Sequence, residues 1–138
     1  MRIPRRWLAR LTVATTAPIA AGMLSIAPAS AAGTGCLPAP IDNAQVCVDV
    51  DEGSVFGDIH IVPGASGGFQ TATVYVQQCR PDFTNCGVIA ANSGGHVTDL
   101  QTSRKNAPFG HIFHGCASWT DDAGRSHTNK CGQWRSWP

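Results

Sequence analysis

Downstream of about position 33, apolar residues recur at every second position, the period of a half-buried strand rather than of a helix. In 45–51, Val46, Val48 and Val50 face one way while Cys47, Asp49 and Asp51 face the other. In 54–62, Val55, Ile59 and Ile61 share a side, and in 71–79 Ala72, Val74 and Val76 oppose Thr73, Tyr75 and Gln77. Shorter strands are predicted over 86–91 and 96–100. A longer one over 111–120 gathers Phe113, Ala117 and Trp119, and 125–134 closes the set. The intervening stretches 62–68, 92–95 and 121–124 carry the Gly, Pro, Asn and Asp of turns, and 101–108 reads as the longest loop. Seven short antiparallel strands, with few residues at 3.6 spacing, predict an all-β, immunoglobulin-like β-sandwich.

The first 32 residues break this pattern. Arg2, Arg5, Arg6 and Arg10 precede an uncharged apolar run, and Ala29-Ser30-Ala31 supplies small residues at −3 and −1 of a cleavage site. The expectation is a signal peptide over 1–32 and one secreted domain over 33–138. The pair Arg5-Arg6 also fits a twin-arginine leader, but disulfides are more simply made after threading an unfolded chain. Removing the leader changes the charge picture. The whole chain carries +1, whereas from Gly33 onward six Lys/Arg stand against nine Asp/Glu, a net of −3. With no basic cluster, nucleic acid is not an expected partner. No later apolar run reaches membrane-spanning length.

All six cysteines, Cys36, Cys47, Cys79, Cys86, Cys116 and Cys131, follow the leader, which implies an oxidising compartment and a disulfide framework. Cys47 and Cys116 fall on the polar faces of their strands, against a bridge between them through the core. Three local bridges are expected instead: Cys36–Cys47, Cys79–Cys86 and Cys116–Cys131. The last requires a one-residue bulge, because a hairpin turning at Asp122-Ala123-Gly124 pairs positions summing to 246 and these sum to 247.

Candidate chemistry is sparse. Gly64-Ala65-Ser66-Gly67-Gly68 has the spacing of a nucleophile elbow but lacks the α/β sheet and helix that an elbow needs. His111 and His114 point to opposite strand faces, and His60, His96 and His127 have no close ligand in sequence, so no metal and no cofactor are expected. Asp49 and Asp51 share a face at a separation that suits paired carboxylates or, more simply, a solvated sheet surface. The loop from Cys79 to Cys86 is the most suggestive element, since a short ring stiffened by Pro81 presents Arg80 and Phe83 as binding residues. Trp119 belongs with the core; Trp134 fits core or edge, and Trp137 an exposed site.

The segments VYVQQC and CGVI (74–79, 86–89), GCASWTDDAGRS (115–126) and CGQW (131–134), behind such a leader, resemble small secreted disulfide-bonded proteins of filamentous Gram-positive bacteria. That resemblance implies export and an immunoglobulin-like fold, and lends no catalytic residue. The expected function is a non-catalytic extracellular domain binding a protein or carbohydrate. The alternatives are a hydrolase inhibitor acting through the Cys79–Cys86 loop and a small hydrolase or toxin.

Overall fold

The computed structural model describes residues 33–136. The leader expected over 1–32, together with Trp137, lies outside the described residues. The described chain forms ten strands and no helix: β1 (Gly33–Cys36), β2 (Ala44–Asp51), β3 (Ser54–Ile61), β4 (Phe69–Cys79), β5 (Gly87–Val97), β6 (Asp99–Gln101), β7 (Lys105–Asn106), β8 (Ile112–Asp121), β9 (Ser126–Cys131) and β10 (Arg135–Ser136). Two antiparallel sheets result. One runs β1-β2-β3-β6 with β7 also on β3, and the other runs β10-β8-β4-β5 with β9 also on β8. No described helix is long and apolar enough to cross a membrane.

The valines of β2 and β4 fill the space between the sheets as their alternation requires. Val46, Val48, Val74 and Val76 are fully buried. Around them two adjoining clusters form, one holding Ile59, Phe69 and Trp119 and the other Val50, Val55 and Phe113. Trp119 meets Phe69 edge-on with ring centroids 6.3 Å apart, the offset geometry that aromatic quadrupoles favour.

Ten strands replace the seven expected, and the differences have physical causes. Asn92-Ser93-Gly94-Gly95, read as a turn, lies in the middle of the eleven-residue β5. Each of these residues pairs with β4, and Thr73 Oγ1 lies 2.8 Å from Ser93 Oγ. The glycines serve close approach rather than turning: a Cβ on Gly95 would stand 2.9 Å from the Gln70 carbonyl oxygen, and one on Gly94 3.2 Å from Leu100. The strand expected over 96–100 is divided, His96 and Val97 finishing β5 while Asp99–Gln101 crosses to the other sheet as β6. The stretch 125–134 likewise divides, since its last residues leave β9 before β10 begins. The short strands β1, β7 and β10 have too few residues to show a period.

Three bridges join Cys36 to Cys47, Cys79 to Cys86 and Cys116 to Cys131, and no described cysteine is free. The β8–β9 register carries the one-residue shift anticipated above: Thr120 opposes Ser126, Cys116 opposes Cys131, and the irregularity falls between Ala117 and Trp119. Gly124 closes that hairpin at φ 79°, a conformation open to glycine without strain. Although Cys47 and Cys116 lie on the outer faces, both are buried. Chain from β1 and from the 131–134 segment covers them, Gln133 N donating to Cys36 O at 3.2 Å and Gly132 N to Gly115 O at 2.9 Å.

Candidate functional site

The loop between β4 and β5 is held from several directions. Its ends are tied by Cys79–Cys86. Within it, Arg80 N donates to Thr84 O and Phe83 N to Arg80 O, both at 2.9 Å. Asp82 Oδ1 accepts from the Thr84 hydroxyl at 2.5 Å and from Thr84 N at 3.1 Å. Those hydrogen bonds, the hydroxyl's first, hold the Asp82 carboxyl below its usual range. Phe83 consequently sits in the left-handed region at φ 61°, which a residue with a Cβ occupies only when its surroundings enforce it. Its side chain is 59% exposed, and Arg80 is also exposed.

Phe83 is braced by a stack that sequence reasoning missed. Its ring meets Trp134 edge-on with centroids 5.3 Å apart. Trp134 lies flat on His114, 3.7 Å away at 12°. Beneath, His114 Nε2–H donates to Gln77 Oε1 at 2.6 Å. His114 and Gln77 are register partners on β8 and β4, so strand alternation does place them on one face. What brings Trp134 over them is the return of the 131–134 segment across β8, for which no local signal exists. Trp134 is thus half-buried on the outer face rather than in the core.

Val88 opposes Gln77, and Cys79 opposes Ile112, which follows the loop carrying Phe109. Phe83, Val88 and Phe109, the large apolar residues exposed among the described residues, therefore share one end of the sandwich. Large apolar residues exposed at one end, rather than scattered over the surface, make that end the first place to look for an interaction site.

Burial lowers the His114 pKa from its ordinary 6.5 to about 4. The unfolded chain therefore takes up this proton near pH 6.5, and the folded chain only near pH 4. Between those values the unfolded state binds more protons, so this group's contribution is complete above pH 6.5 and declines as pH falls towards about 4. The loss is at most about 3 kcal/mol. Urea midpoints at pH 7, 5.5 and 4 are expected to fall more steeply for the native chain than for His114→Phe, which keeps a ring under Trp134 without a titrating nitrogen. Parallel curves would exclude His114 as the source.

The other sequence candidates fall elsewhere. Ser66 is exposed in the loop between β3 and β4. Asp49 and Asp51 lie on the outer face of the β1–β2–β3 sheet, opposite Phe56 and Ser54. Asp51 Oδ1 accepts from Glu52 N at 2.7 Å. His111 stands apart from His114, its Nδ1 3.3 Å from Phe109 O.

Two histidines expected to lack neighbours have carboxylate partners. His60 Nδ1 is 2.5 Å from Asp58 Oδ2; burial, the dominant influence, raises the Asp58 pKa despite that contact. His127 approaches Asp42 and Asp121 at 3.4 and 3.5 Å. The first pair is two residues apart on one strand and was open to the alternation argument. The second joins distant segments and was not.

Comparison with protein-family models, with curated proteins and with solved structures found no match to this chain.

Proposed function

We propose that this chain is a secreted, immunoglobulin-like, non-catalytic binding domain that engages an extracellular protein or carbohydrate through the Cys79–Cys86 loop. The observation that carries this reading is Phe83: 59% exposed, yet fixed in backbone by the ring and braced by Trp134. An exposed aromatic held rigid before binding loses little conformational entropy in a complex. Three disulfides in one small domain accord with an extracellular setting, and the basic, apolar first 32 residues accord with a leader.

The loop's hydrogen bonds favour this reading over a substrate-like protease inhibitor. An inhibitor of that kind presents an extended backbone for pairing with the enzyme. Here the Arg80 N–H and C=O are both engaged within the loop. The test has two arms. Immobilised oxidised protein is expected to retain an extracellular ligand from the producing organism's culture fluid. Phe83→Ala is expected to weaken that interaction by about 2 kcal/mol, roughly thirtyfold, with the fold unchanged. A lowered melting temperature with unaltered binding would assign Phe83 to packing alone. Titration against trypsin-, chymotrypsin- and subtilisin-like proteases is expected to give no inhibition at micromolar concentration, and inhibition that Arg80→Ala or Phe83→Ala abolishes would reverse the preference.

A further inference from the structure

At the opposite end of the sandwich, two turns meet. The Ile41–Ala44 hairpin exchanges both backbone hydrogen bonds, at 2.9 and 2.8 Å, around Asp42 and Asn43 at φ 47° and 66°. That is a two-residue turn of the primed type, in which Asn and Asp are the favoured residues with side chains. It directs Asp42 towards the β8–β9 hairpin, where Asp121 and His127 reside.

We propose that Asp42, Asp121 and His127 form a binding site for a divalent transition metal of the zinc class. Their ligand atoms all lie within 4.8 Å of one another. His127 Nε2 stands 3.4 Å from Asp42 Oδ2 and 3.5 Å from Asp121 Oδ2. These separations match the edges of a zinc tetrahedron, about 3.3–3.5 Å for metal–ligand bonds near 2.0–2.1 Å. Nε2 is itself buried and, although both carboxylates stand at ion-pair distance, makes no aligned hydrogen bond to either, whereas polar atoms removed from water ordinarily make one. A metal between the three groups would satisfy it.

Two of the three ligands are fixed in place. The Trp119 ring stacks on His127 at 4.6 Å and 24°. Asp121 is buried, and its Oδ1 accepts from Ala123 N and Arg125 N at 3.0 and 2.9 Å, which turns Oδ2 towards His127. Support of this kind, which settles a ligand's orientation before the metal arrives, is what metal centres require. Against Asp42 and Asp121 lies a cavity of 160 Å³ bordered also by Ser66, Phe69 and Asp122, with room for water beside the two carboxylates.

One cation already competes. Arg125 Nε donates to Asp121 Oδ2 at 2.8 Å, and its Nη1 lies 3.3 Å from Asp42 Oδ1. The Arg125 side chain is 58% exposed, so solvent accommodates it once displaced. Among the described residues, the two other clusters of potential ligands rely on cysteines already spent in disulfides, Cys116 and Cys131 in one and Cys47 in the other.

Isothermal titration of the oxidised, tag-free protein with zinc chloride near neutral pH is expected to show one saturable site. Cobalt(II) in the same site is expected to give the visible absorption of low-coordinate geometry. Asp42→Asn, which suits the left-handed turn, and His127→Gln are each expected to weaken zinc binding at least about tenfold. His60→Gln leaves it unchanged. Arg125→Ala, by removing the competitor, tightens it, whereas a plain charge network would lose stability and gain no zinc. Circular dichroism of each variant establishes that it is folded. Absence of saturable binding at about 1 mM zinc, or affinity untouched by both Asp42→Asn and His127→Gln, overturns the site.

Discussion

Reduction of all three disulfides under otherwise native conditions is expected to unfold this protein. The bridges close segments whose ends are 11, 7 and 15 residues apart. In the loop-entropy model each contributes about 2.5–3 kcal/mol, about 8 kcal/mol together. That sum rivals the whole 5–15 kcal/mol or so that an ordinary domain possesses. A described chain this short, with only two small apolar clusters, has little in reserve.

The order of reduction is also set by the structure. Each bridge pairs a buried sulfur residue with a more accessible one: Cys47 with Cys36, Cys79 with Cys86, and Cys116 with Cys131. Of the accessible partners only Cys86 is exposed, Cys36 and Cys131 being half-buried. Because exchange requires a thiolate to reach a sulfur, Cys79–Cys86 is expected to open first and to release mainly its own loop. Cooperative unfolding follows when Cys36–Cys47 or Cys116–Cys131 opens, since their segments interlock between the sheets. Timed alkylation with mass mapping reads the order, and near-ultraviolet circular dichroism of buried Trp119 reads the collapse. A fully reduced protein that still melts within about 2 kcal/mol of the oxidised one would show that the core suffices without the bridges.

Alternation made most of the interior legible in the sequence, because Val46, Val48, Val74, Val76 and Trp119 each had to lie opposite polar neighbours on a strand. The bridge pairing was legible for the same reason, as was the bulge, which followed from counting across the Asp122–Gly124 turn. Glycine misled at Asn92–Gly95: in isolation it signals a turn, and only the neighbouring strand and Leu100 show that it permits close approach. The candidate site was legible in part. Arg80 and Phe83 were singled out from a short ring and a proline, which are local features. Trp134 over His114, and Asp42 beside His127, depend on chain segments that meet only after both sheets have formed. Periodicity carries no information about such encounters.

Gly115→Ala is expected to be among the most damaging single methyl groups that can be added to this chain. Gly115 sits in β8, where the two sheets come together backbone to backbone. A Cβ there would fall onto the carbonyl oxygen of Cys47, 2.7 Å from the carbonyl carbon and 3.1 Å from Val48 N. Gly132 and Gly35 complete the same seam, with Cβ positions 2.6 Å from Gly35 O and 2.5 Å from Gln133 O respectively. Every one of these obstacles is main chain, so no rotamer change relieves the clash. The neighbours cannot easily retreat either, because Cys47 is tied to Cys36 and the adjoining Cys116 to Cys131. Relief requires the sheets to separate beside Val48 and Phe113, which opens the core there. The expected cost is about 3 kcal/mol or more, a fall of roughly 12–20 °C in melting temperature. Gly87→Ala is the matched control, since a Cβ at Gly87 would meet nothing within 4 Å. That substitution is expected to stay within about 0.5 kcal/mol of the native chain. Thermal and urea melts of the two variants, oxidised and in parallel, decide the matter. Equal stabilities would mean that the seam yields, and that the close approach of β2 and β8 contributes little to holding the sheets together.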